Sequence, residues 1–335
     1  MPESQNTAPE QPVPPIGTAQ PASLVAGAVE GKRGAAWRLF HWIEQDRPEA
    51  IEAVKNCRDR RLWELLLEWL ALGTWAGRPF HVPPPMRQPH FSAQIRALFL
   101  LDASMRWLID QVLSAGLHDP RPQVRENAAY LFGVLGEPAA ISDLIETLHD
   151  PVSEVRVQAA GALGRMRATQ AAPALVDALG FHDEALASQI RQALLQCGAS
   201  AALPPLVKAA HLPDDWVRWY ALRILSELHD ARGVPPLIEA LTDTSEAVAW
   251  MAARGLVAMG APMIEDVLRL LLRAPDTPLL METAAYVLRA RHDEPLRSIL
   301  APVIRSMHRV DYRVAMPLAV EHALEQIGQN PVATP

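Results

Sequence analysis

The sequence predicts an all-α chain: an α-solenoid of about eight stacked helix pairs behind an N-terminal helical extension. Three observations predict it. Two stretches say nearly the same thing 31 residues apart, "LHDPRPQVRENAAYLFGVLG" from Leu117 and "LHDPVSEVRVQAAGALG" from Leu148. Three columns at that step stay apolar along the chain without an insertion. Half of the residues are hydrophobic, yet only 6% are aromatic and glycines number 17. The core must therefore be built mainly from Ala, Leu and Val, as in closely packed helices.

Residues 1–28 are rich in Pro, Gln, Ala and Thr, a composition too poor in apolar surface to offset the entropy of ordering, and are expected to be a disordered arm. Residues 29–80 are expected to form the helical extension. Its first helix places Trp37, Phe40 and Ile43 on one face. Pro48 suits the first turn of the next helix. "RRLWELLLEWLALG" supplies a third, with Trp63, Leu66, Leu67 and Leu70 on a common side. Residues 81–90, including "HVPPPMRQPH", break the pattern as a linker.

Residues 91–330 carry the repeats. One column runs Val124, Val155, Leu186, Val217, Val248, Leu279 and Val310. A second runs Phe132, Leu163, Leu194, Leu225, Leu256, Val287 and Leu318. The third runs Leu144, Leu175, Leu206, Leu237, Leu268 and Ile299. Backward, the same step reaches Ala93, Leu101 and Leu113, so the first unit is incomplete. Such a period is the signature of a helix-turn-helix array in which each unit buries its apolar face only against its neighbours.

"DPVSEVRVQAAGALG", with its Asp-Pro turn, Val-Arg helix start and paired alanines, resembles the phycobilisome-lyase type of HEAT-like repeat. Pieces recur in "DDWVRWYALRILSEL" and "GVPPLIEALTD", and the resemblance covers roughly residues 91–328. It implies a fold more than a function, since members include bilin-attachment factors, degradation adaptors and scaffolds. It also brings in deoxyhypusine hydroxylase, whose di-iron site is held by His-Glu pairs after the Val-Arg-like helix start. The matching positions here are Glu126-Asn127, Val157-Gln158, Ser188-Gln189 and Trp219-Tyr220, so that activity is not carried over.

The repeated His-Asp pair reads as architecture. Asp119 and Asp150 each precede a proline and a helical run, where a carboxylate can cap orphan N–H groups. Arg125 and Arg156 follow six residues later, and an Asp-Arg ladder between neighbouring turns is expected, partial because Ala187 and Ala249 replace the arginine. His118, His149 and His211 share one column, with His182 shifted by two. Packed helices stand about 8–10 Å apart, whereas metal–nitrogen bonds are about 2 Å, so equivalent histidines cannot readily share an ion. No metal site and no cofactor are expected. Cys197 falls in a column with Leu135, Met166, Leu228 and Met259 and reads as core. Cys57 reads as a packing or surface residue, beside the charged Arg-Asp-Arg-Arg run that follows it. No phosphate-binding glycine loop is present.

In a repeat array, the informative columns are those that turn apolar in only a few units. Glu126, Val157 and Ser188 give way to Trp219, Trp250 and Met281. Asn127, Gln158 and Gln189 give way to Tyr220 and Met251, and Gln123, Glu154 and Ala185 to Trp216. Trp216, Trp219, Tyr220, Trp250, Met251 and Met281 are the candidate protein-binding or self-association surface, because Trp and Tyr are favoured interface anchors. A weaker candidate is the acidic second-helix face of Asp143, Glu146, Asp177 and Glu239, interrupted by Lys208, which suits a basic partner.

The net charge of −7 opposes nucleic-acid binding, and with it a DNA-repair solenoid. No apolar stretch is long enough to expect a membrane span. Two distant cysteines and a start without a basic n-region fit a reducing, cytoplasmic setting. The leading expectation is a non-enzymatic scaffold or adaptor that binds another protein. The alternative, an enzyme or enzyme subunit such as a bilin-lyase-like chromophore attachment factor, rests on the resemblance alone.

Overall fold

The computed structural model describes residues 20–66 and 110–329, with 74–75 and 78–79, apart from positions 46, 60, 64, 112, 261–262, 275–276 and 291–293. The chain divides into two compact units, Met1–Ala140 and Ile141–Pro335. This division falls inside the repeat register rather than at the expected linker, which lies outside the described residues, as do residues 1–19 of the expected arm.

In the first unit, α1 (Pro21–Val29) packs on α2 (Arg33–Glu44) and α3 (Pro48–Lys55). The expectation of disorder through residue 28 is therefore corrected. Pro21 opens α1, where its missing N–H costs nothing, and Leu24, Val25 and Ala28 are buried. The apolar run "SLVAGAV" was masked by the Pro-rich composition before it. Gly27 permits the close approach: a Cβ there would lie 2.8 Å from the Ala35 Cβ. Phe40 and Ile43 are buried as expected, while Trp37 is half-buried and stacks on His41 at 5.1 Å. Pro48 does begin α3. Trp63 and Leu66 are fully buried, and the Trp63 indole N–H donates to the Cys57 carbonyl at 3.0 Å. Leu67 and Leu70 lie outside the described residues.

One departure from an all-α chain is a two-stranded ladder, β1 (Thr74–Trp75) with β2 (Arg78–Pro79), antiparallel in register Thr74 to Pro79. Thr and Trp favour strands, and Pro is tolerated at an edge. The unit's repeat helix α4 (Pro122–Leu135) starts on a proline and stops at Gly136, whose φ of 70° is the left-handed conformation that a C-cap glycine adopts without strain.

The second unit alternates first and second helices of the repeat. The first helices are α6 (Ser153–Arg165), α8 (Glu184–Cys197), α10 (Asp215–Glu227), α12 (Glu246–Met259), α14 (Pro278–Arg289) and α16 (Tyr312–Gln329). The second helices are α5 (Ile141–Thr147), α7 (Ala172–Asp177), α9 (Ala199–Ala209), α11 (Val234–Glu239), α13 (Ile264–Arg273) and α15 (Leu296–Ser306). Successive first helices from α6 to α14 pack on one another, and the second helices fill against them. The apolar columns are the reason. Leu144, Leu175, Leu206, Leu237 and Leu268 are fully buried, as are Leu163, Leu194 and Leu225. The columns fail at their end, where Val310 and Leu318 are exposed.

The turns use their acids in two ways. Asp183 and Asp214 cap α8 and α10 directly, accepting from the amides of Leu186 and of Trp216 and Val217. Asp119 and Asp150 instead accept from the amide two residues on, at Arg121 and Val152, and so close the turn before the helix. That corrects the capping expectation. A following proline delays the helix by two residues, and the carboxylate then serves as an Asx turn. The ladder forms in part. Arg156 and Arg218 each donate to two carbonyls of their own turn and reach the next turn's Asp183 and Asp243. Arg218 grips Asp243 with two 2.8 Å bonds, and both side chains are nearly buried. Arg125 clamps the Asp119 and Pro120 carbonyls in the same manner.

Candidate interaction surface

The ring cluster begins with the cap of α10. Asp214 Oδ1 accepts from the Trp216 amide at 3.0 Å, fixing Trp216 in the first turn with Trp219 and Tyr220 one turn on. His182 donates to Asp214 Oδ2 at 2.6 Å, and its ring stacks on Trp216 at 5.7 Å, nearly parallel. Burial opposes the Asp214 charge, yet the bonds from His182 and the two amides hold its carboxyl below the usual range. Tyr220 sits between the two indoles, 4.8 Å from Trp216 and 4.9 Å edge-on to Trp219. Arg223 lies over the Trp219 ring at 5.4 Å, a cation–π contact, and is held there by Glu227. Glu227 also accepts from Arg191 at 2.7 Å, tying α8 to α10.

The structure separates the six predicted residues. Tyr220 and Met281 are buried within the chain, so neither offers surface, which corrects their expected exposure. Tyr220 fills the gap between two indoles, and burial pushes its phenol pKa up. Met281 lies on the inward side of α14, where the column that carries Trp219 and Trp250 has turned into the core. Trp216, Trp219, Trp250 and Met251 are half-buried. The Trp216 Nε1 is buried with no hydrogen-bond partner among the described residues. Trp250 belongs to a second group, edge-on to Tyr286 of α14 at 5.6 Å.

Tyr286 was missed in the sequence, although the column test would find it. Its column reads Leu131, Ala162, Ala193, Ile224 and Gly255, all buried, and then the half-exposed Tyr286. His182 was also missed as a ring partner, because its role depends on a left-handed φ of 54° that no spacing reveals.

On the second-helix side, Glu146, Asp177 and Glu239 are exposed and Asp143 is half-buried. Glu239 borders a surface cavity of about 410 Å3, beside His211, Arg218 and Asp243. His211 donates from Nδ1 to the Val207 carbonyl at 2.8 Å and from Nε2 to Glu239 at 3.0 Å. Both ring nitrogens face acceptors, which suits the imidazolium, and the bond to Glu239 raises the His211 pKa above its usual 6.5. His118 is tied likewise to the Ser114 carbonyl, and His149 tilts against Phe181. Cys197 is buried, which raises its thiol pKa.

No helix among the described residues is long and apolar enough to cross a membrane. No curated protein matches the chain. Solved structures to which it is similar include an engineered protein, at 18% identity over 93% of this chain and 99% of that one, with a TM-score of 0.39. Another is the CpcE–CpcF complex of phycocyanin lyase from Nostoc, at 19% identity over 76% and 98%, with a TM-score of 0.30. A third is human deoxyhypusine hydroxylase in complex with glycerol, at 19% identity over 91% and 96%, with a TM-score of 0.26. Residues 109–195 and 203–289, more than half of the chain, match the family described as HEAT repeats, and the chain belongs to that family.

Proposed function

We propose that the chain is a scaffold or adaptor, acting in the cytoplasm, that binds another protein through the first-helix face of its later repeats. The observation that carries this reading is the pair of half-exposed indoles, Trp219 and Trp250, at one repeat position on successive first helices, where the earlier units have Glu126, Val157 and Ser188. Met251 and Tyr286 extend the surface, and Trp216 and Tyr220 support it from beneath. Rigid aromatic anchors lose little conformational entropy on binding, and they dominate interface energies. The acidic second-helix positions, Asp143, Glu146, Asp177 and Glu239, form a secondary face suited to basic segments of the same partner.

Affinity capture from the native host tests this, with the wild-type chain and Trp219→Ala/Trp250→Ala as parallel baits. A partner retained by the wild type and lost by the folded variant supports the proposal. Equal recovery of every partner by both baits rejects it.

A further inference from the structure

The two units that bring in the indoles bring in a second residue type four residues later. The position four residues after the Trp219 column reads Tyr130, Gly161 and Gln192, then Arg223 and Arg254, then Ala285. Four-residue spacing puts each arginine on the same helix face as its indole. One unit earlier, α8 presents exposed Ser188 and Gln192 at the two positions, with neither ring nor charge. In α14 the later position is the buried Ala285. Arginine is thus present where the indole is present, in α10 and α12, as expected of two parts of one surface.

The charges beyond the indoles do not cancel. Arg223 lies over Trp219 and donates to Glu227 at 3.2 Å. Glu227 also accepts from Arg191 at 2.7 Å, so two guanidinium groups share one carboxylate. Arg254 is exposed, and no carboxylate among the described residues pairs with it. Three arginines therefore stand against one glutamate, in a chain whose net charge is −7. The acids of the face, Asp215 and Glu246, lie one turn before the indoles. They belong to the helix starts: α8 has Glu184 at the same position without an indole, and a first-turn acid complements the helix dipole.

Given the proposed partner site, on which this rests, we infer that the partner meets these indoles with an acidic, extended segment. Its apolar side chains lie on Trp219 and Trp250, and its carboxylates pair with Arg223 and Arg254. Arginine is suited to both contacts, because a guanidinium resting on a ring keeps its in-plane N–H groups for a carboxylate. The acids at the helix starts repel a carboxylate, which confines the segment to the C-terminal side of the indoles. α10 packs on α12, and packed helices stand about 8–10 Å apart. Three residues of polyproline-type extended chain span about 9 Å. Acidic side chains at every third position therefore match the step from Arg223 to Arg254.

Fluorescence anisotropy on the full chain tests this, with a labelled Glu-Pro-Leu repeat peptide of about twelve residues and matched Gln-Pro-Leu and Lys-Pro-Leu peptides. The Glu peptide should bind at about 50 mM salt and weaken at about 300 mM, and both controls should bind at least about tenfold more weakly. Arg254→Glu should weaken the Glu peptide at least about tenfold without shifting the circular-dichroism melt, because Arg254 is exposed. Arg254→Gln should act in the same direction by less. No binding of the Glu peptide overturns the inference, as does equal binding of the Gln peptide or indifference to Arg254→Glu. Tighter binding of a labelled oligothymidylate than of the Glu peptide overturns it in favour of a nucleic-acid surface. A host partner lost with Trp219→Ala/Trp250→Ala but retained by Arg254→Glu removes the acidic segment and leaves the adaptor proposal standing.

Discussion

The α6–α8 pair and the α10–α12 pair are built on the same buried columns and differ at their edges. Between α6 and α8 the edge is small. A Cβ on Gly164 would lie 2.8 Å from the Ala193 Cα, 2.9 Å from its Cβ and 2.7 Å from Gln196 Oε1. The two helices approach backbone to backbone, and their outer positions, Val157 and Ser188, are ordinary. Between α10 and α12 the nearest glycine, Gly255, meets side chains instead: Ser226 Cβ at 2.9 Å and Leu237 Cδ2 at 3.0 Å. Outside that pair stand the indoles of Trp219 and Trp250. Positions that never change along the array hold it together. Positions that change once, in a few consecutive units, are the ones the proposed partner site draws on, at Trp219 and Trp250.

The comparison breaks most readily at a column residue. Leu225 is fully buried and its side chain packs on Gly233. Leu225→Ala should cost about 2–5 kcal/mol of stability, from lost transfer energy and the cavity left behind. Leu163→Ala should cost a similar amount, and chemical denaturation of both measures whether the column is equivalent in the two pairs. A large difference would mean that the shared pattern hides different packing.

A smaller effect sharpens the contrast. Gly164→Ala must push back the Ala193 backbone, and overpacking costs about 1–3 kcal/mol, only partly offset by about 1 kcal/mol of helix propensity. Gly255→Ala displaces a leucine methyl and presses on the Ser226 Cβ, which moves only with its backbone, but meets no backbone atom directly and should be somewhat milder. Denaturation midpoints that place Gly255→Ala below Gly164→Ala would reverse the assignment of close backbone packing to α6–α8.

Smallest is the pH response of the turn side. Glu239 raises the His211 pKa above 6.5, so its contribution to stability is complete below about 6.5 and fades as pH rises through the folded value. Both side chains are more than half exposed, so solvent screening keeps the effect on stability slight. An NMR titration should find His211 above the ordinary value and Glu239→Gln should return it toward 6.5. An unchanged titration in the variant would remove Glu239 as the cause.

Much of this architecture was legible in the sequence because burial in a repeat is periodic. The step of 31 identified the buried columns from Val124 to Leu268 and the aromatic positions at Trp219 and Trp250. The same step failed at Val310 and Leu318, because periodicity encodes which residues are apolar and not whether the next helix keeps to its row. It also overestimated the surface at Tyr220 and Met281, since a column does not show whether a ring lies under its neighbour or over it. α1 was lost to the composition of the residues before it. Tyr286 was legible in its column but required looking for an aromatic among buried apolar residues rather than among polar ones.

The central claim, that Trp219 and Trp250 serve binding while the columns serve folding, is tested most directly by two readings on one preparation. Calorimetric titration of the captured partner should show Trp219→Ala weakening binding by about 2 kcal/mol or more. The denaturation midpoint of the same half-buried variant should reflect a loss of no more than about 1–2 kcal/mol. Unchanged affinity together with a stability loss of about 3–5 kcal/mol, as for a fully buried tryptophan, would contradict the account and assign the ring to the core.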